Sequence, residues 1–99
     1  MEILKQEVWI HRDEKVVSLE IFNRGKRVFY SYTYMFKGRK GDWRPAVRWD
    51  NYESPHVDKY DENRALIETQ PCGEKRLDDV VKLATIFRKN LLAMDLSGL

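Results

Sequence analysis

The chain has 99 residues, 34% of them charged and 42% hydrophobic, with a formal net charge of +2. That length suits one domain and excludes an enzyme with separate cofactor and substrate domains. Aromatics at 12% argue against wholesale disorder, and no apolar run approaches the ~20 residues that a membrane helix needs.

The first residues, MEILKQEVWIHRDEK, are charged throughout and lack the apolar core and small-residue cleavage site of a signal peptide. Cys72 is the only cysteine, so no internal disulfide can form. A cytoplasmic location, with no membrane partner, is the expectation.

Residues 3–11 alternate, with Leu4, Val8 and Ile10 on one face and Lys5, Glu7, Trp9 and His11 on the other. Residues 16–22 place Val17, Leu19 and Ile21 against Ser18 and Glu20, and Asp13-Glu14 reads as the hairpin loop between the two strands. Asn23-Arg24-Gly25-Lys26 is the next turn, since Gly25 tolerates a positive φ. Residues 27–37 give the clearest strand: Val28, Tyr30, Tyr32, Tyr34 and Phe36 share one face, Phe29, Ser31, Thr33 and Met35 the other. Its apolar content on both faces predicts a central position. After a reversal at 38–42, residues 43–50 return, with Pro45 expected at the strand's start or on an edge.

An irregular connection covers residues 50–56. A short hairpin follows, from 56–60 to 64–70, ending at Pro71-Cys72-Gly73. From Glu74 to about Met94 the period becomes helical: Leu77, Val80, Val81, Ala84, Phe87, Leu91 and Met94 form one apolar stripe. Residues 96–99 read as a frayed end. The fold class is therefore α+β in one domain, 1–99. An antiparallel twisted sheet of five to six strands (residues 3–70, a meander plus a hairpin) is packed by one long C-terminal helix (74–94).

Charge is unevenly spread. Between Arg24 and Arg48 there are eight bases and only one acid, Asp42, giving +7, so the rest of the chain carries −5. Bases interleaved with aromatics suit single-stranded nucleic acid, and Arg39, Lys40 and Arg44 are the candidate binding residues there. Solvated charge at strand ends explains the same pattern, because basic edges deter aggregation.

A second concentration of chemistry lies at 48–58. Arg48, Asp50, His56 and Asp58 flank the irregular connection. If the chain folds back, Asp50 can orient His56 for acid–base work while Arg48 binds a phosphate. Capping and solvent-facing roles account for the same residues. Two histidines and one cysteine exclude a Cys/His zinc framework, and residues 58–68 do not match a calcium loop. The nearest alternative is a carboxylate set from Asp50, Glu53 and Asp58; no metal and no cofactor are expected.

The string Val47-Arg48-Trp49-Asp50-Asn51 followed by Pro55-His56 resembles the TumE-like proteins and related small prokaryotic domains. The similarity runs over residues 28–94 in element order. It implies a toxin component paired with a helix-turn-helix antitoxin, with Arg48, Asp50, Asn51 and His56 at the motif positions. The spacer Tyr52-Glu53-Ser54 is longer than in that pattern, and Val57 stands where a second histidine would follow. Three functions are therefore carried forward. They are a binding or interaction protein of toxin–antitoxin type, an RNA-binding protein or metal-independent ribonuclease, and a homodimer joined through sheet edges.

Overall fold

A computed structural model describes all 99 residues. Six strands, β1 (Glu2–His11), β2 (Glu14–Asn23), β3 (Lys26–Lys37), β4 (Trp43–Asp50), β5 (His56–Tyr60) and β6 (Leu66–Pro71), precede one α-helix, α1 (Leu77–Phe87). Short 3₁₀ segments follow at Arg88–Leu92 and Leu96–Gly98. All six strands form one antiparallel sheet in sequence order, β1 to β6. The α+β architecture expected from the alternating and helical periods is present, with the helix lying on one face of the sheet.

Local chemistry explains the turns. Arg24 (φ 53°) and Gly25 (φ 77°) take consecutive positive φ values, the backbone of a two-residue hairpin whose twist matches its strands. Gly38 is needed for space: a Cβ there would stand 2.9 Å from both the Arg44 guanidinium and the Asp42 carboxylate. Pro45 departs from expectation. It lies inside β4, an interior strand, beside a register shift where Tyr34 faces Val47 and Met35 faces Pro45. The bulge accommodates the missing N–H.

The core forms where α1 crosses the tyrosine face. Tyr30, Tyr32, Tyr34, Val47, Trp49, Val57, Val80 and Ala84 are fully buried, and the Tyr30 and Tyr32 rings stack at 5.0 Å. Each phenol finds a partner. Tyr30 accepts from the Lys75 backbone N–H at 3.1 Å, Tyr32 donates to Glu20 at 2.7 Å and accepts from Arg27 at 2.6 Å, and Tyr34 donates to Glu14 at 2.5 Å. Burial, reinforced by the acidic acceptors, raises the pKa of both Tyr32 and Tyr34.

Those acceptors overturn the reading of β2. Glu14 is not in the loop: the turn is Arg12-Asp13, and Glu14 opens the strand at 1% exposure. Glu14, Val16, Ser18 and Glu20 lie opposite Phe36, Tyr34, Tyr32 and Tyr30, so the core-facing side is the more polar one. Val17, Leu19 and Ile21 point to the uncovered side. The need of buried phenols for hydrogen-bond partners outweighs hydrophobic alternation here.

The C-terminus differs too. The α-helix stops at Phe87 rather than about 94, because Arg88 adopts φ 49°, ψ −132°, a conformation costly for a residue with a Cβ. That kink brings the Arg88 guanidinium onto the Glu14 carboxylate. The last residues are not frayed: Leu91, Leu96 and Leu99 are buried in the core.

Two outcomes follow for stability. The Arg88 and Tyr34 hydrogen bonds, which outweigh burial, hold Glu14 below the usual carboxylate value of 4.5. Its contribution is therefore complete above that value and is lost as pH falls through the lower folded one. Urea unfolding between about pH 6 and 3 is expected to show a steeper acid-side loss in the native protein than in Glu14→Gln. Leu96→Ala is expected to cost about 2–4 kcal/mol in the same assay, a loss that a frayed terminus would not show.

Candidate functional site

The opposite face of the sheet carries no helix, and the pairing register builds a polar group on it. Arg48 of β4 faces Asp58 of β5, and Asp50 faces His56. On the next strand Thr69 faces Asp58. Side chains at these positions share one face because directly opposed residues in an antiparallel pair project together. The 51–55 connection returns the chain so that Asp50 and His56 meet.

The geometry is specific. His56 Nε2 lies 3.2 Å from Asp50 Oδ1 and 3.4 Å from Asp58 Oδ2, while Nδ1 lies 2.8 Å from the Ser54 carbonyl. A carbonyl can only accept, so Nδ1 carries a proton, and an Nε2 proton would donate to the carboxylates. Arg48 Nη2 donates to Asp58 Oδ2 at 3.2 Å, and Arg48 Nε makes an ion-pair contact with Asp50 Oδ2 at 3.1 Å. Thr69 Oγ1 donates to Asp58 Oδ1 at 2.8 Å, and the Tyr52 N–H to Asp50 Oδ1 at 3.0 Å. The carboxylates are deep, Asp50 at 5% and Asp58 at 3% exposure, whereas the Arg48 side chain is 40% exposed beside the Tyr60 ring. A shallow cleft of about 420 Å³ opens over His56, Asp58 and Thr69, between Tyr52 and Leu66.

The other candidates lie elsewhere. Asn51 is engaged by β3: its Oδ1 accepts from the Tyr30 N–H at 2.9 Å and its Nδ2 donates to the Val28 carbonyl at 3.3 Å. Its side chain thus continues the ladder past the end of β4. Arg39, Lys40 and Arg44 line an open groove of about 810 Å³ with Lys59, Tyr60 and Glu62 at one end of the sheet. Arg44 is tied to Asp42 at 3.1 Å. The basic segment is also divided. Arg27, Arg44 and Arg48 are paired with acids. Exposed Arg24 and Lys26 sit at one end of β3, and Lys37, Arg39 and Lys40 at the other. Thr69 and the Ser54 carbonyl were not among the sequence candidates. Thr69 becomes visible only once the β5–β6 register is known.

No protein-family model matches this chain, and the searches of curated proteins and of solved structures found no match.

One ligand atom each from Asp50, His56 and Asp58 falls within 4.8 Å of the others, a spacing a cation could bridge. Glu53, exposed on the connection, is not one of the three. The Arg48 guanidinium already lies against the same carboxylates, so it and a metal ion would compete for them. Cys72 is half-buried, and burial raises its thiol pKa, which disfavours the reactive thiolate.

Arg48→Ala is expected to lower stability by about 1–2 kcal/mol, because two buried carboxylates lose a cation that is itself partly solvated. In thermal melts, millimolar Mn²⁺ is expected to raise the Tm of Arg48→Ala more than that of the native protein. Equal shifts would show that Arg48 does not occupy the cation position.

Proposed function

We propose that the protein works by binding, through the uncovered face of its sheet, with Arg48 and its supporting acids as the polar centre of the contact surface. The observation that carries this reading is the closed state of the Arg48–Asp50–His56–Asp58 group. Both ring nitrogens of His56 are engaged, and each carboxylate already has partners. The ionisable groups already lie against one another rather than reaching into open space, which favours recognition over turnover. Arg48 is held from behind, while its Nη1 makes no hydrogen bond within the chain. A fixed, half-exposed guanidinium is the type of group that anchors protein interfaces.

Apolar surface on the same face supports a protein partner. Trp9 and Trp43 pack edge to face at 5.5 Å, with the Lys15 ammonium over the Trp43 ring at 4.2 Å, and Trp9 remains 56% exposed. Aromatics beside arginine are enriched at such surfaces. One half of a toxin–antitoxin-like pair is the form of this reading that the motif similarity favours.

A second reading, RNA binding or cleavage, draws on Arg39 and Lys40, which are exposed and without ion pairs beside the 810 Å³ groove. Its support is narrower, because the basic segment's unpaired charge is split between two ends of β3.

Affinity recovery of the tagged protein from its own cells is expected to bring down one stoichiometric protein. Arg48→Gln is expected to reduce that recovery roughly tenfold or more, while Lys82→Ala on the exposed helix surface leaves it unchanged. Recovery insensitive to Arg48→Gln, in a variant whose melting confirms folding, overturns the reading. Recovery of RNA that is lost in Arg39/Lys40/Arg44→Ala replaces it with the second.

A further inference from the structure

The two edges of the sheet are unlike. β6 is six residues long and ends at Pro71, a short edge that pairs poorly. β1 is ten residues long, contains no proline, and is exposed along most of its length. It also carries apolar residues at the rim: Ile3 is 57% exposed and Leu4 38%. A long, partly apolar edge with an unpaired row of N–H and C=O groups is a template for another strand.

The order of side chains on β1 specifies which strand. On the uncovered face the sequence runs Ile3, Lys5, Glu7, Trp9; on the helix face it runs Leu4, Gln6, Val8. The strand is complementary to itself when turned around Gln6. An antiparallel copy then sets Lys5 against the copy's Glu7 and Glu7 against its Lys5. Ile3 meets Trp9 in both directions, Leu4 meets Val8, and Gln6 meets Gln6 on the two-fold axis.

Opposite charges directly across a ladder stabilise it, and like charges destabilise it. Slipping the register by two residues either way places Lys5 against Lys5 or Glu7 against Glu7. The charge pattern therefore selects one register. Lys5 has no ion pair within the chain. Glu7 spends only Oε1, on Lys15 at 2.9 Å, and is half-exposed.

We infer that β1 is a homodimer interface, pairing antiparallel with β1 of a second copy about a two-fold axis at Gln6 to give one continuous twelve-stranded sheet. Residues of like parity pair, so both helices lie on the same side and both Arg48 groups on the other. The arrangement is isologous and closes on itself, leaving only the short β6 edges at the ends, so it does not propagate into a fibre. This interface shares Trp9 with the partner surface proposed above but does not depend on that surface.

Sedimentation velocity over roughly 1–200 μM tests the interface. The native protein is expected to dimerise in that range. Lys5→Glu and Glu7→Lys each turn both reciprocal pairs into like-charge pairs, and each is expected to weaken dimerisation at least tenfold. Mixed one to one, the two variants again have opposite charges facing at both positions, so they are expected to form a heterodimer near native affinity. Circular dichroism melting of each variant checks that it is folded. A native protein that stays monomeric throughout the range overturns the inference. So do folded single variants that dimerise like the native chain, or a mixture that fails to associate.

Discussion

Three phenol hydroxyls beneath a helix set the terms for much of this molecule. Tyr30, Tyr32 and Tyr34 supply the large aromatic area that lets a 99-residue chain build a core. Each also brings a polar atom that cannot be left dry. The partners come from three directions: the backbone before α1, Glu20 with Arg27, and Glu14 with Arg88. β2 therefore turns its acids inward. The helix must end where Arg88 can reach Glu14, and β2, β3 and the C-terminus become one connected unit.

With one face committed to the helix, the other is left for solvent and partners. Its polar group is organised by register rather than by a loop. Arg48, Asp50, His56, Asp58 and Thr69 are held on three neighbouring strands, which gives positions more precise than a connection supplies. The group has two carboxylates, one guanidinium and one imidazole, each in contact with another member. What it offers outward is mainly a positioned arginine beside a shallow cleft.

Much of the fold was legible in the sequence wherever hydrophobic period and packing agreed. The β3 alternation, the turn at Arg24-Gly25 and the apolar stripe of α1 are of that type. The β2 alternation misleads because Glu14, Ser18 and Glu20 face the core, and the tyrosine hydroxyls account for the two acids. The stripe beyond Phe87 was real, with Leu91 buried, but periodicity does not register a change to 3₁₀ geometry or a positive φ at Arg88. The 48–58 group was visible as a concentration of residue types. Whether Asp50 and His56 meet depended on how residues 51–55 turn, and Thr69 depended on a second register. Asn51 stood out by motif, yet its amide serves the backbone of β3.

The sequence-ordered sheet also has a bearing on how the chain assembles. Every strand pairs with its neighbour in sequence, so each hairpin closes over a short loop and can form as soon as its second strand is available. The Glu14–Arg88 contact reaches farthest along the chain, joining residues 74 positions apart. Until the last part of the chain arrives, Glu14 sits on a sheet face with no helix over it and stays hydrated. Arrival of α1 removes that water and delivers the compensating cation in the same step, so docking of the helix and neutralisation of the acid are one event.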